Sequence, residues 1–501
     1  MADNLFKRFI QAAGDQERIL LQPLSRDPIS FRQTFEIAGR FATVLASHGV
    51  QPGDRVAVQV EKSPEALILY LACLRCGAVY LPLNSSYTAS ELAYFISDAE
   101  PRLLICSEAK RETIVAALPG TELLTLGDDG RSGSLSREAT SAPSGFADVN
   151  LSMNDLASIL YTSGTTGRSK GAMLTHGNLL SNADSLRATW RFSQKDMLLH
   201  ALPIFHTHGL FVATNVTMLS GAGIILLPKF DLNTLFASLP GATVMMGVPT
   251  FYTRMLQDRR LTRDATRHVR LFISGSAPLL TETHRLWSER TGHAILERYG
   301  MTETNMITSN PYDGIRVPGS VGMPLSGVEV RITGREGETV PLGEVGMIEV
   351  RGPNVFKGYW RMPEKTAAEF RSDGFFVTGD LGKVDERGYV HIVGRDKDLI
   401  ISGGFNVYPK EVENLIDELP GVEESAVVGI AHADFGEGVT AFVVRKRGGN
   451  TTEKEIMDAL DGRLARFKHP KCVVFLEQLP RNTMGKIQKS LIREIYNNLY
   501  D

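Results

Sequence analysis

Along the first half of the chain, segments with apolar residues every three or four positions alternate with short runs that are apolar throughout. Residues 31–47 and 64–76 carry the helical period, whereas 55–60 and 103–107 are short and rich in Val, Leu and Ile, as strands buried on both faces are. This rhythm predicts α/β layers with mostly parallel sheets. Ser63 and Pro64 stand where an N-cap and a first helical residue belong, and Gly77 where the chain leaves the helix, so 64–76 is predicted as one buried helix. Residues 127–144 are rich in Gly, Ser, Asp and Ala and are predicted as a surface loop between subdomains.

The pattern changes between residues 328 and 392, where VEVRIT, MIEVRG and GYVHIVG are short strands set between Gly turns, a small β-rich subdomain. A further unit follows Arg395. It opens with a helical stretch at 409–418, continues with strand patterns at 424–430 and 438–444, and then shows the capping box Thr452…Glu455 of another helix. The expected fold class is therefore α/β: a large N-terminal domain of layered subdomains with a small β-rich subdomain, then an α+β C-terminal domain.

Composition narrows the function. A chain of 501 residues is too long for one compact core. A formal net charge of -3 argues against nucleic acid as the main partner, because phosphate-binding surfaces need clustered Lys and Arg. No basic segment followed by an apolar stretch opens the sequence. The most apolar run, 66–80, is interrupted by Arg75 and too short to span a bilayer, so a soluble cytoplasmic protein is expected. The four cysteines make no disulfide framework. Cys73 and Cys76 form a C-x-x-C inside the predicted buried helix with no second pair at metal-ligand spacing, which reads as structural thiols.

The strongest chemical signal is YTSGTTGRSKG, residues 161–171, after the apolar run 156–160. Glycines let backbone N–H groups converge on anionic oxygens, while Ser and Thr hydroxyls, Arg168 and Lys170 add donors and charge. It is not a Walker A loop, since no Gly-Lys-Ser/Thr stands at the required spacing and the chain continues as Gly171-Ala-Met-Leu, another strand-like stretch. A strand–loop–strand phosphate cradle is expected; a flexible polar turn is the alternative. Three further polar segments follow apolar runs: Ser274-Gly-Ser-Ala-Pro278, Tyr299-Gly-Met-Thr-Glu303 and Thr378-Gly-Asp380. An aromatic ring stacks on a purine, a Thr hydroxyl binds phosphate, Glu holds Mg²⁺ through oxygen, and Asp accepts from ribose hydroxyls. His206, in PIFHTHGL, is either a carboxylate donor or a satisfied core histidine.

In this order the motifs YTSGTTGRSKG, PIFHTHGL, SGSAPL, YGMTE, TGD, GRDKDLIISGGFNVYP and PRNTMGKIQK resemble the acyl-adenylate-forming superfamily of acyl-CoA synthetases, luciferases and peptide-synthetase adenylation domains, over nearly the whole chain. The resemblance implies an N-terminal AMP-binding domain over residues 1–396 and a mobile C-terminal lid over 397–501, hinged at Lys397. It implies ATP, Mg²⁺ and CoA. Thr162, Ser163, Gly164, Thr165, Thr166, Gly167, Arg168 and Lys170 would hold the β- and γ-phosphates; Thr302 would contact the α-phosphate and Glu303 the metal. Tyr299 with the backbone of Gly275, Ser276 and Ala277 would frame the adenine, and Asp380 and Arg395 the ribose. Lys486 would enter the site for adenylation, and Gly403 and Gly404 would line the path of the CoA thiol after the lid turns. His206 would serve as a donor to the acid or a gate to the thiol path.

The stretches HALPIFHTHGLFVATNVT, LFISGSAPLLTETHR, ERYGMTETNMITSNPYDG and GPNVFKGYWRMPEKT are similar to the malonyl-CoA synthetases, which implies malonate as the acid and methylmalonate as a poorer one. On that reading Arg254 and Arg285 would clamp the distal carboxylate bidentately; a solvated helix face is the alternative for both. No obligate protein partner and no membrane are expected. Rival readings are a ligase for another short acid, an enzyme that loads a carrier-protein thiol, and an inactive homologue that only binds ligand.

Overall fold

The computed structural model describes residues 4–162, 169–334, 336–482 and 485–500. These residues form four sheets. One is built on the parallel strands Arg55–Gln59, Val79–Pro82, Leu103–Cys106 and Leu123–Thr125, and is extended by Leu156–Thr162. A second carries the parallel strands Met197–His200, Gly223–Leu226, Val244–Gly247, Leu271–Ser274 and Leu296–Met301, with Asn305–Ser309 antiparallel beside the last. The strands of these parallel stretches are buried along nearly their whole length, which is why they read as continuous apolar runs.

The helix Pro64–Cys76 is buried at every position except Arg75. Ser63 accepts from the Ala66 N–H, and Gly77 leaves the helix with a φ of 80°, as the sequence implies. Tyr70 on this helix packs against Tyr80 of the first sheet and against Phe211, with ring centroids 5.3 and 5.9 Å apart. Burial pushes the Cys76 thiol up to about 11 and that of Cys73 well above its ordinary value, so both behave as small apolar groups.

Within residues 127–144 the structure departs from the expected loop: Ser134–Ser141 is helical. Only Leu135 and Ala139 face the core, so two apolar positions among many polar ones hid the period. The strands Glu329–Thr333, Gly346–Arg351, Phe376–Val384 and Val390–Arg395 form the small antiparallel sheet announced by VEVRIT, MIEVRG and GYVHIVG. The C-terminal residues have a sheet of their own, centred on Val422–His432 and Gly436–Arg445, and a separate core that includes Ile400, Val412, Ile416, Val427, Val443 and Ile456. The molecule is an α/β protein with a large N-terminal part and a smaller C-terminal domain.

Candidate active site

The antiparallel strands Leu156–Thr162 and Lys170–Thr175 flank the Gly-rich segment, so the arrangement is strand–loop–strand. Ser163, Gly164, Thr165, Thr166, Gly167 and Arg168 lie outside the described residues. The base of the loop is pinned from outside: Tyr94 donates to the Ser169 carbonyl at 2.6 Å, Tyr161 donates to Asp98, and the Trp360 N–H donates to the Gly171 carbonyl at 2.7 Å. Thr162 ends the first strand with its hydroxyl 3.5 Å from the Lys170 carbonyl.

Lys170 pairs with Glu369 at 3.1 Å and lies over the Tyr359 ring at 4.2 Å. The Tyr359 hydroxyl in turn is 2.6 Å from Glu369 and 3.0 Å from Glu303. Burial raises the Glu303 carboxyl above its usual range, with Tyr359 and Lys170 partly offsetting this. Thr302, next to it, is half-buried.

Asp380 and Arg395 stand directly opposite one another in the antiparallel pair Phe376–Val384 and Val390–Arg395, and Arg395 Nε is 2.6 Å from Asp380. Tyr299 donates to the same carboxylate at 2.5 Å. Strand register brings two of the sequence-predicted residues together, and the Tyr299 side chain reaches the same point from another sheet.

Gly275 follows the strand Leu271–Ser274, and a Cβ on it would lie 2.4 Å from the guanidinium carbon of Arg298. Glycine leaves the room for that approach. Ser276 adopts a φ of 71°, a strained setting for a non-glycine residue, and places its hydroxyl 3.2 Å from His208 Nδ1. Ala277 beside it is half-buried.

Arg298 is a residue that motif reading missed. It is 4% exposed, on the strand Leu296–Met301, and its Nε and Nη2 have no hydrogen-bond partner among the described residues. Burial pushes its guanidinium down to about 9. The Ser274 and Thr207 hydroxyls and His208 Nε2 are likewise buried without partners. The available signal was a Glu-Arg pair at 297–298 inside an otherwise apolar strand, where a charge needs a reason.

His206 is half-buried, and burial, then Lys486 and Arg298, hold its imidazole down at about 3, so it is neutral. Beneath it, Lys62 donates to His200 Nδ1 and to the carbonyls of His200 and Leu202 at 2.8–3.0 Å, while His200 Nε2 donates to the Gly209 carbonyl at 2.9 Å. These bonds brace the loop that carries His206 and the π-helical segment His208–Asn215 after it, a rare form common at functional sites.

Lys486 reaches the site from the C-terminal domain. It keeps contact with solvent, yet protein crowds it, and that crowding with Arg395 and Arg298 holds its ammonium below the usual range while Asp380 and Glu303 oppose the shift. Gly403 and Gly404, with φ of 58° and 83°, form the exposed tip of the hairpin Ile400–Ser402 and Phe405–Val407.

The two arginines expected to clamp a distal carboxylate are elsewhere. In the helix Pro249–Leu256, Tyr252 and Met255 face inward and Arg254 is exposed. In Thr281–Thr291, Thr283, His284, Trp287 and Thr291 face the core, whereas Arg285 is half exposed and pairs with Glu282 at 2.7 Å and with Glu289. Helical geometry makes i,i+3 and i,i+4 residues neighbours, and here the three share the exposed face.

The arrangement places Lys170 and Arg395 on carboxylates, Arg298 buried with two donors unpartnered among the described residues, and Lys486 close enough to Arg395, Asp380, Arg298 and Glu303 to feel their charge. Residues 9–360 match the model of the AMP-binding enzyme family, and 411–486 that of the AMP-binding enzyme C-terminal domain. The ATP-bound crystal structure of MatB from Rhodopseudomonas palustris is 59% identical over 100% of both chains, with a TM-score of 0.98; its apo form gives 0.87, so the present arrangement follows the ATP-bound form more closely. A malonate–CoA ligase of Arabidopsis thaliana is 35% identical over 90% of this chain and 79% of its own, and a feruloyl-CoA synthase of Amycolatopsis sp is 37% identical over 93% of each.

Proposed function

The chain belongs to the family of AMP-binding enzymes, and from that premise we propose that it converts malonate, ATP and CoA into malonyl-CoA, AMP and pyrophosphate. It is an AMP-forming acid–CoA ligase. The observation that carries the choice of acid is Arg298. A buried guanidinium with unpaired donors costs several kcal/mol, and an anionic ligand relieves that cost. Malonate brings a second carboxylate to it; acetate leaves it unpaired, and a fatty acyl chain would desolvate it further. Methylmalonate, with the same two carboxylates, is the secondary substrate.

In the first half-reaction a malonate carboxylate oxygen attacks the α-phosphorus of ATP and pyrophosphate departs. Two anions meet in this step, so the site must supply positive charge. Arg298 binds the distal carboxylate, and neutral His206 and His208 orient the acid without adding a competing charge. Lys486 bridges the attacking carboxylate and the α-phosphate. Thr302 contacts that phosphate, and Lys170 leaves Glu369 for the β- and γ-phosphates, with the segment 162–168 around them. Asp380 and Arg395 hold the ribose, and Tyr299 with Gly275, Ser276 and Ala277 frames the adenine.

Glu303 fits Mg²⁺: its buried carboxyl accepts from the Tyr359 hydroxyl and has Lys170 and Glu369 nearby, and an oxygen ligand of this kind suits a hard cation. Bound there, the metal supplies charge neutralisation to the triphosphate.

In the second half-reaction the CoA thiol attacks the acyl carbonyl, the thiol proton is lost, and AMP leaves. Residues 397–501 turn about Lys397 between the two steps, because Lys486 and CoA cannot occupy the same approach. The exposed hairpin tip at Gly403 and Gly404, with Ile401 46% and Phe405 56% exposed beside it, supports a role in which another surface covers it after the turn. Among the described residues no helix is long and apolar enough to cross a membrane. We assign the enzyme to the cytoplasm, where its three anionic substrates are dissolved.

The test is pyrophosphate release and thioester formation with ATP, Mg²⁺ and CoA against malonate, methylmalonate, succinate, acetate and octanoate. Activity centred on the first two is expected. Preference for acetate or octanoate would overturn the choice of acid.

A further inference from the structure

Lys486 sits at the end of a hairpin whose geometry is set by a neighbour outside the nucleotide site. Arg481 and Ile487 face each other as an antiparallel bridge, the Asn482 N–H donates to the Lys486 carbonyl at 2.9 Å, and the Lys486 N–H donates to Asn482 Oδ1 at 3.0 Å. The guanidinium of Arg481 spans this hairpin: one nitrogen donates to the Gly485 carbonyl at 2.5 Å and another to Glu424, which precedes the buried part of the strand Val422–His432. Gly485 has a φ of 75° and lies against the N-terminal domain, where a Cβ on it would be 3.8 Å from the Thr250 side chain. The peptide that Arg481 grips is therefore the one that presents Lys486 across the domain boundary.

We propose that Arg481, fixed by Glu424, is a positioning residue for adenylation: it holds the Gly485 carbonyl so that Lys486 enters the site at the correct depth. The inference rests on the reading that Lys486 acts in adenylation. Glu424 ties the hairpin to the sheet, and Arg481 carries that tie to the Gly485 carbonyl beside Lys486. A lysine displaced by about 1 Å costs on the order of a hundredfold in rate. The second half-reaction, which Lys486 does not serve, is unaffected.

The experiment measures malonate-dependent pyrophosphate exchange and, separately, CoA thioester formation from supplied malonyl-adenylate, in Lys486→Ala, Arg481→Met and Glu424→Gln. Arg481→Met should lose about tenfold to a hundredfold in exchange and keep thioester formation. Glu424→Gln, which retains a hydrogen-bond acceptor, should lose less. Equal loss of both half-reactions in Arg481→Met, or no loss in exchange, would overturn the proposal. Unimpaired exchange in Lys486→Ala would instead overturn the reading on which it rests.

Discussion

The two ends of the proposed active site are built on opposite principles. At the nucleotide end the functional charges already have protein partners: Lys170 rests on Glu369, Asp380 is held by Arg395 and Tyr299, and Glu303 lies beside the Tyr359 hydroxyl. At the acyl end Arg298, His208 Nε2 and the Ser274 and Thr207 hydroxyls are buried without partners among the described residues. On the proposed function, groups of the first kind are oriented before ATP arrives and exchange one partner for another. Groups of the second kind impose a standing cost that a matching ligand removes, which on that reading makes the acyl end the seat of selectivity.

The sharpest way to break this contrast is Arg298→Met. Replacing a buried guanidinium that meets a carboxylate should lower malonate kcat/KM by about two to three orders of magnitude, since such pairs carry ~3 kcal/mol or more, while the ATP KM stays nearly constant. Steady-state kinetics with each substrate varied in turn would check it, and a parallel rise in both KM values would contradict it.

At the other end, Glu369→Gln removes the resting partner of Lys170. The ATP KM should fall about threefold to fivefold with the malonate KM unchanged, because a partly exposed pair is worth about 1 kcal/mol or less. An unchanged ATP KM would show that Lys170 does not exchange partners.

A smaller effect concerns acid stability. The folded chain holds His206 down at about 3, below its ordinary value of 6.5, so between these pH values the unfolded chain carries a proton that the folded one lacks. Stability attributable to this group is therefore complete above pH 6.5 and declines as pH falls toward 3. His206→Gln should leave the melting temperature at pH 8 unchanged and make the decline between pH 6 and 4 shallower, by up to about 1.4 kcal/mol per pH unit. A parallel decline in both proteins would place the liability elsewhere.

The smallest effects belong to the solvent face. Arg254→Ala and Arg285→Ala should each leave both KM values within about twofold, and loss of the Arg285 pairs should cost less than about 1 kcal/mol in stability. A selective rise in the malonate KM would return either residue to the acyl pocket.

What the sequence revealed differs between the same two ends. At the nucleotide end the chemistry lies in contiguous motifs, so the family resemblance could name Asp380, Arg395, Tyr299, Glu303 and Lys486 position by position; strand register then pairs Asp380 with Arg395, and Tyr299 joins them from another sheet. At the acyl end the pocket is assembled from separate elements. Arg254 and Arg285 were attractive because each follows a segment near the pocket, but a helix turns three of four side chains away from any one neighbour. Arg298 stands inside ERYGMTE without a motif role, because its meaning depends on Gly275 lacking a Cβ and on two of its donors having no partner among the described residues, neither of which a motif reports. Tyr359 and Glu369 were missed for a similar reason: they act on Lys170 and Glu303 from a segment almost two hundred residues away from Lys170 in the chain. The helix Ser134–Ser141 escaped because only two of its residues face the core.

On the proposed function, Arg298 reads the distal carboxylate. Its most direct test is a thermodynamic cycle with two stable acyl-adenylate analogues, one ending in a carboxylate and one in a methyl group, titrated calorimetrically into the native protein and into Arg298→Met. The native protein should prefer the carboxylate analogue by about a hundredfold or more and the variant should lose this preference, a coupling of ~3 kcal/mol. The same preference in both proteins would contradict it and assign recognition of the acid to other groups in the cleft.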